Sequence, residues 1–264
     1  MKDPHFKSNL NIGSIVKILL STNQEEKIGK IKEILSPLDY HPHGIKVALE
    51  DSSEGRVIEI FEIENLVNSE ILQKLKQPES NILEFKASLL TPNESIEEIK
   101  MKYKLKDPKD VESLIQKTKK SILHSSMKTI AAFANSDGGS LIIGIEDRTG
   151  KIIGLKNDYQ HVINKDADGF LIELKNQIKS YFGGTGIMAT IPVMDVITID
   201  GKDICHIQVN PSKEACVIYE EVETKSGKFL MEKYFVRVSN SSEEFSAKDF
   251  YEKHWINHKI KYLS

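Results

Sequence analysis

The chain has 264 residues, 39% of them hydrophobic and 28% charged, with a net charge of −3 from 36 basic and 39 acidic side chains. That length and apolar share suit one large or two modest globular domains and exclude whole-chain disorder, collagen-like repeats and coiled coil. The near balance of charge excludes a histone-like binder held by bulk charge, so any nucleic-acid contact must come from a local basic patch.

Residues 1–66 read as a small β domain. Ser14 to Leu20 is an apolar run, and Lys27 to Leu35, Gly44 to Leu49 and Arg56 to Phe61 alternate. Turns fall at Ser36-Pro37, His41-Pro42-His43-Gly44 and Asp51 to Gly55. Short strands with this punctuation predict a small barrel. Residues 67–77 form a helical linker, broken at Lys76-Gln77-Pro78 because proline lacks an N–H and fixes φ.

Residues 78–264 mix strands and helices and predict an α+β domain with a mixed sheet. Ile82 to Ala87 reads as a strand, Lys109 to Ala134 as a long helix, and Ser140 to Ile145 as a buried central strand. Asn135-Ser136-Asp137-Gly138-Gly139 ends the long helix. Ala167 to Phe182 is a second helix. Val193 to Ile199 and Lys202 to Val209 make a hairpin about Asp200-Gly201. Leu230 to Val238 is a late strand and Ser246 to Ile260 a terminal helix.

Residues 91–120 are unusually rich in lysine. The alternation through Lys100, Lys102, Lys104 and Lys106 would put four lysines on one side of an extended strand, beside Tyr103. Such a ridge can contact phosphates, and a solvated face on an insertion explains it equally. Glu84 and Lys86 alternate with Leu83 and Phe85, so both point to one face of their strand. Asp147 sits just past the apolar strand, and Glu79 in the loop before the first strand. Phosphodiester hydrolysis needs phosphate charge neutralised and water activated, work suited to Mg²⁺ or Mn²⁺ on carboxylates. Lys86 is placed to touch the scissile phosphate. A solvated strand face and an ordinary turn aspartate account for the same spacing.

Other motifs carry less. Cys205 and Cys216 make no disulfide framework, and no four-ligand zinc set is legible. No GxxxxGK[ST] loop supports ATP binding; Ser226-Gly227-Lys228-Phe229 reads as a hairpin turn. His41 and His43 read as exposed imidazoles on a turn or as a metal pair. Gly183-Gly184-Thr185-Gly186 reads as a flexible connection. Arg237, near Asn240 and Ser241, can bind phosphate or pair with an internal acid. The first nine residues are polar, and no apolar run approaches the ~18 residues of a membrane span, so the expected setting is soluble, cytoplasmic and thiol-reducing.

Several ordered blocks carry a resemblance. Glu79-Ser80-Asn81-Ile82-Leu83-Glu84-Phe85-Lys86, Ile130 to Asp147, Ile152-Ile153-Gly154, Asn210-Pro211-Ser212 and Tyr234 to Ser242 resemble the Schlafen AlbA-type domain over residues 78–258. Gly13, Gly29, His41 to Val47, Leu49-Glu50-Asp51 and Gly55-Arg56-Val57 are similar to the small bacterial YwbE-like family. The Schlafen resemblance implies a nucleic-acid-binding protein acting on structured RNA such as tRNA, with DNA an alternative. In the animal members three acids serve an endoribonuclease. Glu79 and Glu84 stand five apart as the first two do, Asp147 holds the third place, and Lys86 follows Glu84 as in that motif. The microbial members imply the alternative of a non-catalytic DNA/RNA-binding or nucleotide-binding regulator. Because the Phe133-Ala134-Asn135…Gly138-Gly139 block occurs once, the two-lobed animal clamp implies a homodimer here.

Overall fold

The computed structural model describes residues 2–61, 70–92, 96–104, 106–147, 149–184, 186–224 and 227–263. Asn68 and Ser69 of the expected linker helix, and Glu94, Thr185 and Ser226, lie outside the described residues. The chain divides into two compact units, Met1–Lys74 and Leu75–Ser264.

In the first unit, β1 (Ile15–Leu20), β2 (Glu26–Ile34), β3 (Lys46–Leu49) and β4 (Glu54–Phe61) close into an antiparallel barrel, β1 pairing with both β2 and β4. The period-2 pattern turns Val16, Ile18, Ile31, Val47, Leu49 and Val57 into its core, all at most 1% exposed. Closure requires glycine at Gly44: its φ is +84°, and a Cβ there would stand 2.0 Å from the Val57 carbonyl oxygen. Residues 70–74 are helical.

The second unit starts with β5 (Leu83–Lys86), followed by α1 (Ile96–Tyr103), α2 (Pro108–Ala134) and β6 (Gly139–Ile143). β5 and β6 are parallel, so this is a strand–helix–strand crossover, with the ends of both strands at one edge. After α3 (Lys156–Tyr159) and α4 (Ala167–Tyr181), β7 (Val193–Ile199) and β8 (Lys202–Val209) complete a mixed sheet in the order β5-β6-β8-β7. β6 is thus internal, and each of its five residues is buried. β9 (Val217–Thr224), β10 (Gly227–Val238) and β11 (Ser241–Phe245) form a second antiparallel sheet, ordered β11-β10-β9. The chain then runs through α5 (Ala247–Asp249), a π-helical stretch Phe250–Trp255 and α6 (Ile256–Leu263). Met127, Phe133, Leu141, Phe170, Leu174 and Ile207 lie in the main core.

The long helix starts where capping chemistry dictates. Asp107 accepts from the Lys109 N–H at 2.8 Å and Pro108 occupies the first turn. The lysine ridge is a correction. Lys100 and Lys102 lie on a helix, α1, whose first turn carries Glu97 and Glu98. At ~100° per residue, side chains two apart diverge instead of sharing a face. Lys104 follows the helix with φ of +53°, and Lys106 precedes the Asp107 cap. The four lysines therefore form no strand face.

Candidate nucleic-acid site at the ends of β5 and β6

The site is assembled from three stretches of chain. Ahead of β5, Ser80 N–H donates to the Leu83 carbonyl at 2.9 Å, folding the chain into a tight turn. That turn brings Glu79 Oε1 back to accept from the Phe85 N–H at 2.9 Å. Beyond β6, the N–H groups of Gly144 and Ile145 both donate to the Lys86 carbonyl, at 2.8 and 3.1 Å. This ties the segment leading to Asp147 against the end of β5.

Glu84 and Lys86 share a face, as their alternation predicts, and their side chains are hydrogen-bonded. Lys86 Nζ also stands 4.0 Å from Asp147 Oδ2, bridging the two carboxylates. The other oxygen of Glu84 accepts from Arg237 Nη1 at 3.0 Å. Arg237 further donates to the Ser80 carbonyl at 2.6 Å and to Ser242 Oγ at 3.1 Å, and its guanidinium lies over the Phe133 ring at 4.9 Å. Its side chain is 1% exposed, against 46% for Asp147. Of the two sequence readings of Arg237, the internal ion pair is the one the geometry displays. An exposed phosphate contact by this guanidinium is corrected on that ground: β10 buries it and Glu84 neutralises it.

The carboxylates repel one another. Partial burial raises the pKa of Glu79, aided by the charges of Glu84 and Asp147 and opposed by the Phe85 N–H and Lys86. Desolvation likewise raises that of Asp147, with Glu84 adding to the shift and Lys86 opposing it. Glu79, Glu84 and Asp147 offer oxygen donors alone, the chemistry a hard dication takes, and their mutual repulsion is a deficit of positive charge that such an ion would relieve. In the arrangement described, Lys86 supplies that charge, and no three His, Cys, Asp or Glu side chains among the described residues are grouped to hold a metal ion.

The supporting residues were not legible as such. Asn135, fully buried at the end of α2, donates to the carbonyls of Cys216 and Phe235 at 2.8 and 2.9 Å and accepts from the Cys216 N–H at 2.8 Å. Ser136 Oγ accepts from the Arg237 N–H at 3.0 Å. Together they pin β9 and β10 to the helix end and so fix where Arg237 stands. Gly138 has φ of +77°, and a Cβ on Gly139 would lie 2.5 Å from the Phe133 ring, so both glycines are dictated by the turn into β6. A polar residue directly behind the apolar run Ile130 to Ala134 was the available signal. Arg237 also lines an open cleft of about 220 Å³, together with Ser136, Asp137, His254, His258 and Lys261.

A β–α–β crossover with charged groups at the paired strand ends is a common setting for ligand sites in mixed α and β proteins. The Schlafen, AlbA_2 family profile matches residues 79–246, and the chain belongs to that family. Residues 5–60 match a second family, described as an uncharacterized conserved protein (DUF2196). Over 53 residues the chain is 42% identical to the uncharacterized protein YwbE of Bacillus subtilis (strain 168), which spans 19% of this chain and 82% of that protein. A crystal structure of the DIP2311 protein from Corynebacterium diphtheriae aligns with a TM-score of 0.35 at 18% identity, covering 71% of this chain and 28% of that one. The Schlafen, AlbA_2 family points to nucleic acid as the ligand class. No helix among the described residues is long and apolar enough to cross a membrane.

Proposed function

We propose that the chain is a cytoplasmic, metal-dependent endoribonuclease that binds structured, tRNA-like RNA and cuts it at Glu79, Glu84, Lys86 and Asp147. A two-fold pair of chains is part of this reading. The observation that carries it is the convergence of groups from separate stretches: Lys86 lies between the Glu84 and Asp147 carboxylates, with Glu79 electrostatically coupled to all three. Glu79, Glu84 and Asp147 would hold Mg²⁺ or Mn²⁺, which when bound neutralises phosphate charge and lowers the pKa of bound water. Lys86 Nζ donates to a phosphate oxygen and stabilises the charge that develops there. Asp147, 46% exposed, would accept the proton of the attacking water on a carboxylate oxygen that the ion leaves free.

The test is incubation of the pure protein with bulk tRNA and Mn²⁺, with and without chelator. Cleavage that chelator abolishes, and that Asp147→Asn reduces about 100-fold or more, supports the reading. No cleavage by the wild type, or equal cleavage by Asp147→Asn, overturns it. The alternative is a non-catalytic DNA- or RNA-binding module, favoured by the engagement of both Glu84 oxygens, one with the part-buried Lys86 and the other with the buried Arg237. It predicts retarded tRNA or DNA on a gel with no cleavage in either metal.

A further inference from the structure

The first unit carries a surface that the carboxylate site does not use. Residues 4–7 lie beside residues 39–45: Phe6 bridges Tyr40, Lys7 N–H donates to the Asp39 carbonyl at 2.8 Å, and His41 N–H donates to the His5 carbonyl at 2.9 Å. This backbone pairing fixes a set of rings at one place. Phe6 and Tyr40 are 5.1 Å apart by ring centroid, His5 and Tyr40 6.4 Å, and His41 and His43 5.9 Å. Phe6 and Tyr40 are 44% and 51% exposed. Rings kept in water by a rigid backbone, and not folded inward, are poised to stack on a ligand.

The surrounding charge selects the ligand. The nearby carboxylate of Asp3 is taken up by the His5 N–H at 2.9 Å and its ring Nδ1 at 2.6 Å. Desolvation, and then the nearby Arg56, His43 and His5, hold the pKa of His41 below its ordinary value, which places Arg56 as the permanent cation close to this imidazole. Arg56 is anchored by donating to the Gly44 carbonyl at 3.0 Å.

We infer that Phe6, Tyr40, His41, His43 and Arg56 form a binding site for single-stranded nucleic acid, bases stacking on the two exposed rings and phosphates meeting the Arg56 guanidinium and the imidazole N–H groups. Stacking needs splayed bases, so the site takes single strands and not duplex. It is independent of the cleavage chemistry proposed for the second unit.

The experiment uses the full-length Asp147→Asn chain without added metal, so cleavage plays no part. A fluorescent oligouridine of about 12 nucleotides, within the usual span of such sites, is titrated by anisotropy against a duplex of equal length. Tyr40→Ala is expected to weaken single-strand binding about 5- to 150-fold, while Tyr40→Phe, which keeps the ring, stays within about twofold. Cross-linking of the unsubstituted surface with a thiouridine-bearing oligomer needs no Tyr40 variant and is expected to mark residues 5–6 and 40–43. Equal single-strand binding by Tyr40→Ala, an equal loss of duplex binding in that variant, or cross-links confined to other residues overturns the inference and leaves this face to a protein partner.

Discussion

Glu84 is held by two cations, and that changes what its removal means. Its carboxylate meets Lys86 on one oxygen and the buried Arg237 on the other, and the residue is 8% exposed. Glu84→Ala leaves the Arg237 guanidinium in the interior without a counter-charge, which typically costs about 3–5 kcal/mol. Glu84→Gln keeps a hydrogen-bond acceptor and is expected to cost less. Urea denaturation measures both, and an alanine variant within about 1 kcal/mol of wild type would show that the pair is dispensable to folding. Any loss of the proposed cleavage in Glu84→Ala would therefore combine folding with chemistry, whereas Asp147, 46% exposed, can be replaced with less effect on folding. At this scale the sequence was half legible. The alternation Leu83-Glu84-Phe85-Lys86 fixed which side chains share a face, since strand geometry is local. The partner of Arg237 lies 153 residues away in sequence, a distance no spacing rule spans.

Among elements, those with a clean period were readable: the four barrel strands, α2, β6 and the β7–β8 hairpin each fall within a few residues of their apolar patterns. β9 and β11 were missed because their faces are largely solvated, with Glu220, Glu221 and Glu223 on β9 and Glu243 and Glu244 on β11, so no alternation marks them. The lysine-rich α1 was misread because alternating Lys with Met, Tyr and Leu imitates a strand while each residue also suits a helix. The terminal helix was expected as one piece, yet it passes through a π-helical stretch, Phe250–Trp255, that turns Phe250 and Trp255 inward. That register also buries His258 on α6, where its Nε2–H donates to the Ser212 carbonyl at 2.9 Å. Desolvation, with His254 and Lys261 adding to it, holds its pKa below 6.5 against the opposite pull of the Ser212 carbonyl and Asp137. Below pH 6.5 the unfolded chain thus binds the proton more readily than the folded one. The stabilisation is complete above that pH and is lost as pH falls through the folded-state value. His258→Gln, which can still donate to Ser212, is expected to show a shallower loss of urea stability than wild type between about pH 7 and 5. Identical slopes for the two proteins would refute this assignment.

For the whole molecule, the sequence marks two units by a change in texture. Short alternating strands give way at Pro78 to mixed helices and strands, and the two family matches, 5–60 and 79–246, fall on either side of it. What composition does not reveal is how many copies of the chain act together. The lysine strand that would have lined a paired clamp is absent, since those residues belong to α1 and its end. A different surface supports the pair. On the long β10, Phe229 and Met231 share one face and are 45% and 37% exposed, with Leu230, 68% exposed, on the other face, an apolar stretch on a ribbon whose outer strand β9 is guarded by glutamates. Charged edges discourage strand addition, so association is expected through the apolar stretch of β10 and not by extending the sheet. A two-fold axis there would set each Leu230 against the other chain's Leu230, since two-fold contacts reuse one patch. Light scattering at micromolar concentration is expected to return twice the chain mass of 29.9 kDa for the wild type. Leu230→Glu should return the single-chain mass while the chain stays folded, because the side chain it replaces is 68% exposed. A wild-type mass of one chain that added RNA does not change excludes the pair, and an unaltered dimer in Leu230→Glu excludes this surface as its seat.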